Sequence, residues 1–241
     1  ILVVVSCLIQ PTTQSWKCNG HVAFGLPGEE DQLLCREGYA VGYSYDKKSP
    51  AWVAYHITKD SVGAKYERSN NFSEDEEVPA AYRSVLDDYK GSGYDRGHMA
   101  PSATVDFSQK SMQESFLLSN MTPQLPGFNR QGWRYLEAYL REWTEERSEL
   151  YVVTGALFDE GKEIAIGNKV AVPSRFYKVV FDPKNSDGIA FIAPHRNITK
   201  AELPTFIVSI DQVELASGLD FNSSLPDDIE AEIEAEIEKM W

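Results

Sequence analysis

The sequence predicts an α+β protein with a largely antiparallel central sheet flanked by helices. Residues typical of strands, β-branched and aromatic, cluster in six segments, at 38–46, 51–60, 149–158, 168–182, 188–194 and 205–210. The stretch 129–147 instead repeats its large apolar side chains at helical spacing. Because strands precede and follow this one strong helix, rather than alternating with helices, we expect most of them to pair antiparallel.

The first residues predict where the protein resides. Residues 1–9 are almost wholly apolar, and a polar stretch with Pro11 follows. This apolar run is too short to span a bilayer and is similar to the apolar core of a secretory signal peptide. We therefore expect a signal-peptide remnant over 1–16, a single domain over 17–241, and a secreted or periplasmic protein. A buried first strand is the alternative, and a lipid anchor on Cys7 is a weaker one.

The three cysteines fit an exported protein. Cys7 would leave with the signal segment, so Cys18 and Cys35 remain as a pair that an oxidising compartment can join. A disulfide that closes a loop of this length stabilises a fold by about 3 kcal/mol in the chain-entropy model. Two free thiols are the alternative, and the pair lacks the Cys-x-x-Cys spacing of a zinc site. The sequence therefore predicts a Cys18–Cys35 bond.

The charge of the chain argues against a general surface for polyanions. Its 241 residues carry a formal net charge of −14, and binding to phosphate backbones is largely electrostatic. In the acidic tail from Pro226, Ile229, Ile233 and Ile237 recur every four residues, which predicts a helix with one apolar stripe. Acidic and basic residues balance over 90–147. A phosphate site in that segment would therefore need a few well-placed arginines.

The segment "GSGYDRGHMAPSA" (91–103) contains an unusual grouping of side chains. Asp95 and Gly97 are common in turns and Arg96 is an ordinary surface residue, so a structural role is the simpler interpretation. His98, however, is the only ionisable group of the motif with a pKa near neutrality, which suits a general base. The remaining motifs decide between the two interpretations.

The predicted helix carries a second group of polar side chains. Asn129, Trp133, Glu137 and Arg141 follow one another every four residues, so they form a slowly winding stripe along one side. On its own, this stripe is typical of a solvated helix face with a Glu–Arg pair worth about 0.3 kcal/mol. The other histidines lie outside both motifs and are expected to be structural or solvated: His21, His56 and His195.

Together these motifs resemble a known family. "DRGHMAP" (95–101) is followed by "FLLSNMTPQ" (116–124) and by "FNRQGWRYLE" (128–137), with Arg141 beyond. In this order, they are similar to the DNA/RNA non-specific endonuclease family of ββα-metal nucleases. The resemblance covers most of residues 38–194 and implies a ββα-metal, or His-Me finger, catalytic core. It also implies a nuclease domain that hydrolyses phosphodiester bonds of DNA and RNA, with a metal ion and with little sequence specificity.

The resemblance implies a single Mg²⁺ ion, for which Mn²⁺ can substitute, held through Asn129. Glu137 would assist through a bound water. The chemistry of these groups agrees, because an amide oxygen suits a hard cation and Mg²⁺ keeps most of its own waters. Such an ion acts as a Lewis acid on the phosphate. A single protein ligand binds weakly, so we expect the metal to arrive with the substrate.

The resemblance also implies roles for the remaining site residues. His98 is expected to be the general base that activates the attacking water. The guanidinium fork of Arg96 suits a non-bridging phosphate oxygen. Arg141 is expected to orient the carboxylate one turn before it or to contact phosphate. Arg68 is expected near the site, although its loop departs from the family pattern, and Asn120 is expected to support the geometry.

Two other functions are compatible with these residues. A catalytically silent nucleic-acid-binding or adhesion module would keep the fold, but binding alone needs no general base. A phosphodiesterase for small nucleotides would use the same chemistry in a closed pocket, whereas a hairpin and a helix are expected to form an open one. The acidic surface opposes a polynucleotide substrate. We still expect DNA and RNA as substrates, because cleavage needs neutralisation at only one phosphate.

Overall fold

The structure, a computed structural model, describes residues 17–63, 65–159, 161 and 164–241. The predicted signal-peptide remnant, 1–16, lies outside the described residues. The strands are β1 (Gln32–Cys35), β2 (Ala40–Ser44), β3 (Ser49–Thr58), β4 (Asp95–His98), β5 (Met121–Gln124), β6 (Glu149–Leu157), β7 (Ile164–Ile166), β8 (Val170–Val172), β9 (Arg175–Asp182), β10 (Asp187–Pro194) and β11 (Ile207–Val208). The α-helices are α1 (Leu86–Tyr89), α2 (Gln109–Glu114), α3 (Arg134–Arg147), α4 (Ile210–Ser217) and α5 (Asp227–Ala235). Short 3₁₀ segments span Lys17–Gly20, Leu118–Asn120 and Lys200–Phe206, and a π-helical turn spans Phe128–Trp133.

Seven strands form the central sheet, in the order β1-β2-β3-β6-β9-β10-β11. Every neighbouring pair in this sheet is antiparallel. The prediction of an α+β fold with a largely antiparallel central sheet is therefore confirmed. Neighbouring strands follow one another along the chain except at two places, where β6 pairs with β3 and where β9 pairs with β6. The segment between β3 and β6 builds the functional site.

Helices cover both faces of the sheet because side chains alternate between the faces along each strand. On one face, Phe176 and Val180 of β9 belong to the same buried cluster as Leu136 of α3. On the other face, Val179 of β9 belongs to a second buried cluster with Val213 of α4. Helix α3 is thus fixed on the sheet by its apolar side, which leaves its polar side available.

Strands β4 and β5 form a separate two-stranded antiparallel ladder outside the central sheet. His98 pairs with Met121 at one end of this ladder, and Asp95 pairs with Gln124 at the other. Gly97 lies so close to the neighbouring strand that a Cβ there would stand 2.1 Å from the Gln124 side chain. The two strands therefore pack tightly, and together with α3 they form the predicted ββα core.

Two predicted strands differ from the observed elements. The predicted strand 168–182 is two strands, β8 and β9, because Pro173 between them has no N–H to donate to a ladder. Half of the predicted strand 205–210 is helical. Thr199 and Glu202 form a capping box that starts a 3₁₀ segment, and Ser209 caps α4, so only Ile207–Val208 remain extended.

The two predicted helices also differ in extent. The helix predicted over 129–147 begins as a π-helical turn, and only Arg134–Arg147 is α-helical. The acidic C-terminal segment is helical over Asp227–Ala235, after which the chain leaves the helix and the indole of Trp241 packs edge-on against Trp143. Ile237 lies beyond this helix and is 63 % exposed, so it does not continue the apolar stripe.

Cys18 and Cys35 form a disulfide, with 4.7 Å between their Cα atoms. The bond joins the beginning of the described chain to β1, the edge strand of the central sheet. The predicted pairing of these two cysteines is therefore present in the structure. Among the described residues, no helix has the length and apolar character that crossing a bilayer requires.

Candidate active site

An open cleft of about 630 Å³ lies between the β4–β5 ladder and α3. Its walls come from three regions of the chain: the loop around Arg68, the ladder with the turn after it, and the π-turn with the start of α3. The lining residues are Arg68, Phe72, Asp95, Arg96, His98, Pro101, Ser102, Ala103, Asn129, Arg130, Arg134, Glu137 and Arg141. The cleft therefore brings together six of the seven site residues that the sequence predicts.

His98 ends β4 with its ring half-buried against two aromatic side chains. The imidazole meets Phe72 and Phe116 edge-on, with ring centroids 5.6 Å and 4.9 Å away. Its Nε2 atom is buried and has no hydrogen-bond partner among the described residues. Burial, followed by the positive charges of Arg68 and Arg96, lowers the pKa of His98 to about 3. The ring is therefore neutral at pH 7.

The two arginines next to His98 use the same aromatic wall. The guanidinium of Arg96 lies 4.1 Å from the centroid of the Phe72 ring, and that of Arg68 lies 4.9 Å from the centroid of Phe116. Arg68 also donates hydrogen bonds to Ser102 and to Asn70, the latter at 2.7 Å. A guanidinium over an aromatic ring can still direct N–H groups at its edge toward an anion in the cleft.

Asn120 is the one predicted site residue that does not line the cleft. It is fully buried behind β4. Its Oδ1 accepts from the N–H of Ala100 at 2.8 Å, and its Nδ2 donates to the carbonyls of Ala100 and Ser115 at 3.0 Å and 2.9 Å. These bonds occupy both ends of the amide. Asn120 therefore fixes the chain that leaves His98 and does not itself line the cleft, so it supports the geometry of the site and does not act as a catalytic group.

Asn129 is held in the π-turn by Asp95. Its Nδ2 donates to Asp95 Oδ2 at 2.9 Å, which turns the amide oxygen away from the carboxylate. Arg130 donates to both oxygens of the same carboxylate, from Nε at 2.8 Å and from Nη2. Burial raises the pKa of Asp95, but the bonds from Arg130 and Asn129 outweigh it and lower the pKa overall. Asp95 therefore links β4 to the π-turn as a carboxylate.

Glu137 and Arg141 follow on the first turns of α3. Burial raises the pKa of Glu137, while the positive charges of Lys178 and then Arg141 act against that rise. Arg141 donates to the backbone carbonyl of Glu137 at 3.0 Å and to Thr104 Oγ1 at 3.2 Å. Among the described residues it makes no bond to the Glu137 carboxylate. The predicted i,i+4 ion pair is therefore replaced by a backbone contact, which leaves that carboxylate free toward the cleft.

Lys178 is a charged residue of this site that the sequence reasoning missed. It is fully buried in β9, with its Nζ 3.4 Å from Tyr55 Oη and 5.0 Å from the centroid of the Trp133 ring. Burial lowers the pKa of Lys178, and the nearby Glu137 acts to raise it. A lysine in the middle of the apolar strand "RFYKVVFD" was the available signal, because a lysine is almost never buried without an anionic partner.

His195, which was expected to be structural or solvated, supports the π-turn from behind. Its Nε2 accepts from the backbone N–H of Leu125 at 2.7 Å, so Nδ1 carries the hydrogen and donates to Pro173 O at 2.7 Å. The carbonyl of Leu125 in turn accepts from the N–H groups of Phe128 and Asn129, each at 2.9 Å. His195 therefore anchors the turn that carries Asn129.

The cleft has the opposite charge to the whole chain. Its lining contains five guanidinium groups against two carboxylates, an excess of three positive charges, whereas the chain has a formal net charge of −14. Arg130 and Arg134 contribute to this excess and were not predicted. Positive charge is thus concentrated where a phosphate would lie, which removes the main electrostatic objection to a polyanionic ligand.

A two-stranded ladder that ends in a histidine and faces a helix with an amide and a carboxylate defines a ββα-metal nuclease, a hydrolase of nucleic acids. The family model described as DNA/RNA non-specific endonuclease matches residues 18–228. The chain belongs to this family.

Similar proteins cover most of the chain. It is 42 % identical over 219 residues to Nuclease C1 of Cunninghamella echinulata var. echinulata, covering 84 % of this chain and 87 % of that protein. It is 38 % identical over 213 residues to the mitochondrial Endonuclease G of Homo sapiens, covering 82 % and 71 %. A crystal structure of the EndoG/EndoGI complex superposes with a TM-score of 0.78 at 35 % identity, covering 86 % of this chain and 91 % of that one.

The prediction of a secreted or periplasmic protein is wrong. Besides the human enzyme, the Mitochondrial nuclease of Saccharomyces cerevisiae is 37 % identical over 232 residues, covering 86 % of this chain and 70 % of that protein. Both of these relatives are mitochondrial nucleases. An apolar N-terminal stretch does not by itself identify a compartment, since hydropathy alone does not separate an export signal from other leader segments.

Proposed function

We propose that the chain is a metal-dependent endonuclease that hydrolyses phosphodiester bonds of both DNA and RNA with little sequence preference. The observation that carries this proposal is the convergence of His98, Asn129, Glu137 and five arginines on one open, locally positive cleft in an acidic protein. Contacts to phosphate carry no sequence information. The cleft offers chiefly such contacts, which is why cleavage is expected to tolerate many sequences.

His98 is the general base of this proposal. Its Nε2 is buried without a partner, so Nδ1 is the ring nitrogen that takes a proton from a water in the cleft. Burial and two guanidinium groups disfavour the imidazolium, so the ring is neutral before the reaction and keeps a free lone pair. When a phosphate binds between those guanidinium groups, its negative charge offsets them and strengthens the base.

The residues of the cleft fit a Mg²⁺ ion. The amide oxygen of Asn129 is fixed by the bond between its Nδ2 and Asp95, and the nearby Glu137 supplies a carboxylate that is free of the Arg141 guanidinium. Both donors are the hard oxygens that Mg²⁺ or Mn²⁺ prefers. When bound there, the ion supplies Lewis-acid stabilisation of the negative charge that develops on the phosphate and the leaving oxygen.

The arginines neutralise the phosphate before and during the reaction. Arg96 and Arg68 lie on the His98 side of the cleft, and Arg141 lies on the α3 side. A phosphate between them is held from two sides, so the attacking water on His98 is oriented against the phosphorus. Fixed guanidinium groups stabilise the additional charge of the transition state without reorganising.

We further propose that residues 17–241 form one nuclease domain and that the protein is mitochondrial. The first proposal is supported by the single central sheet, whose two faces are covered by helices of the same segment. The second is supported by the names of the human and yeast relatives. Imaging the full-length protein with a C-terminal tag in its own cells tests the location, and staining outside mitochondria would contradict it.

Incubation of the purified chain with supercoiled plasmid, single-stranded DNA and RNA tests the activity. We expect cleavage of all three with Mg²⁺ and none with EDTA. His98→Ala should reduce turnover by roughly 10²–10⁴-fold without changing the circular dichroism spectrum. His21 and His56 do not line the cleft, so loss of activity in the His98 variant, but not in variants of these two, identifies the base. Binding without cleavage in every metal would instead support the catalytically silent module.

A further inference from the structure

Two cations beside the first turns of helix α3 lie on tyrosine rings and not beside carboxylates. The Nζ atom of Lys200 lies 4.7 Å from the centroid of the Tyr139 ring and 5.5 Å from that of the Tyr135 ring. The guanidinium of Arg134 lies 5.4 Å from the centroid of the Tyr135 ring. Neither cationic side chain forms an ion pair or a hydrogen bond with any residue that the structure describes. These four residues are named the tyrosine–cation patch.

The patch carries positive charge on the surface of an acidic chain, which has 37 acidic and 23 basic residues. A tyrosine ring attracts a cation through its quadrupole but has no net charge, so it holds the cation in place without neutralising it. Arg134 and Lys200 are both exposed, and Tyr135 is 37 % exposed. The patch therefore offers two positive charges to an anion that approaches from solvent.

The segment that carries Lys200 is fixed beside the π-turn that precedes α3. The N–H of Gly132 donates to the carbonyl of Ile198 at 3.1 Å, which joins this segment to the turn. Lys200 begins a 3₁₀ segment whose one acidic side chain is Glu202. Glu202 forms an ion pair with Arg196 at 2.9 Å. No carboxylate of that segment is therefore left to neutralise Lys200.

The patch continues the wall of the active cleft. Arg134 lines the cleft, and its guanidinium shares the Tyr135 ring with Lys200. A strand whose scissile phosphate lies in the cleft, and which leaves the cleft past Arg134, therefore meets Lys200 next. Binding to phosphate backbones is dominated by such cations. An isolated phosphodiester would be held by the cleft alone and would not extend this far.

We propose that the tyrosine–cation patch binds the phosphates of the nucleic-acid strand beyond the cleft, with Lys200 contacting the phosphate that follows the one at Arg134. This inference rests on the proposed function and deepens it, because it makes the substrate a strand of several nucleotides that is held at more than the cleaved phosphate. Contacts to phosphate hold strands of any sequence. An acidic protein segment also fits two cations, and the strand is favoured because the patch adjoins the cleft.

Fluorescence anisotropy of a labelled single-stranded oligonucleotide, measured in EDTA at several salt concentrations, tests the patch without cleavage. Lys200→Gln should weaken binding by roughly three- to tenfold at low salt, as for one lost phosphate contact. The slope of log affinity against log salt concentration should become shallower by about 0.7, the value for one phosphate of a single strand. Lys200→Arg keeps the charge and should keep the slope. An unchanged slope in Lys200→Gln would overturn the proposal in favour of an acidic protein partner.

Lys184→Gln is the matched control. Lys184 is also exposed and has no ion pair among the described residues, but it lies in the turn between β9 and β10 and does not line the cleft. The two variants change the net charge equally, so equal weakening in the control would overturn the proposal. A chain that cleaves DNA while Lys200→Gln binds normally would overturn this inference alone. A chain that binds no oligonucleotide at any salt concentration would overturn both this inference and the proposed function.

Discussion

The histidine of the cleft lies in an environment that disfavours its own protonation. Aromatic rings on two sides and guanidinium groups nearby hold the pKa of His98 at about 3. A free histidine would be partly protonated below pH 6.5 and thus lost as a base. The surroundings of His98 therefore extend the range over which the free enzyme holds a neutral base, although a base of lower pKa is also weaker.

The environment of His98 predicts how the removal of a nearby positive charge changes the pH dependence of kcat/KM. Arg68 is the first positive charge that lowers the pKa of His98, after burial itself. Because a nearby cation disfavours the imidazolium, Arg68→Gln should raise the pKa and move the acid limb of kcat/KM to higher pH. Measurement of kcat/KM from about pH 2.5 to 7 covers an acid limb near pH 3 and checks this. Arg175→Gln, which does not line the cleft, is the control, and an unmoved limb in the Arg68 variant would contradict the role of that charge.

Single residues of the site differ in how far the sequence could predict them. His98, Asn129 and Glu137 stand in recognisable motifs, and the cleft brings them together. Lys178 and His195 stand in no motif. The lysine within an apolar strand was a local signal for Lys178, but the partners, Glu137 for Lys178 and Leu125 for His195, lie more than 40 positions away along the chain. Local pattern says nothing about such partners, so only the folded structure could reveal them.

At the scale of elements, the start of the main helix is the informative feature. The periodicity of the sequence predicted one helix over 129–147, but the first turn is a π-helix in which Gln131 has non-helical dihedral angles. A Cβ on Gly132 would stand 2.4 Å from the Ile198 side chain. Packing against the segment after β10 therefore shapes this turn, and helical periodicity contains no information about such a contact. Rare π-turns occur often at functional sites.

The anchoring of this turn by His195 predicts an effect on metal use. His195→Ala removes the acceptor for the Leu125 N–H and loosens the turn that positions Asn129. The Mg²⁺ concentration for half-maximal activity should rise by roughly fivefold, as for one lost hydrogen bond. His195→Gln keeps an acceptor and should recover part of the loss. A general loss of stability would lower activity equally at all Mg²⁺ concentrations, and that result would contradict a positioning role.

At the scale of the whole molecule, the fold class followed from the distribution of strand and helix patterns. The order of the strands within the sheet did not follow from these patterns. β6 lies between β3 and β9, and the long segment between β3 and β6 leaves the central sheet to build the ββα core. Such an arrangement depends on which apolar faces meet after folding, which is a property of distant pairs such as Val152 and Val180.

The burial of His21 predicts that the free energy of unfolding falls in acid. Both ring nitrogens of His21 are engaged, Nε2 with Glu37 O and Nδ1 with the His56 N–H, and burial lowers its pKa to about 4. The unfolded chain binds this proton near pH 6.5, so the resulting stability is complete above pH 6.5 and is lost as the pH falls toward 4. Between pH 7 and 5 the loss is about 2 kcal/mol from this group.

Urea unfolding at pH 7 and pH 5 checks the contribution of His21. The difference in unfolding free energy between the two pH values should be about 2 kcal/mol smaller in His21→Leu than in the unchanged chain. Any constant cost of the substitution cancels in this difference. Raised pKa values of Glu137 and Glu234 act with the opposite sign, since burial favours their protonated form and stability falls as the pH rises. These two glutamates affect both proteins equally. The same change in unfolding free energy between pH 7 and pH 5 in His21→Leu and in the unchanged chain would therefore contradict the prediction.

The disulfide between Cys18 and Cys35 determines what a single proteolytic cut between them does to the protein. It ties the beginning of the described chain to the edge strand β1, and the polypeptide between the two cysteines forms a closed ring. A protease that cuts once within this ring, for example in the exposed part around Glu29, opens it without releasing a fragment. The nicked protein would keep its mass apart from one added water and would migrate as one band without reductant. Reduction would separate it into two pieces.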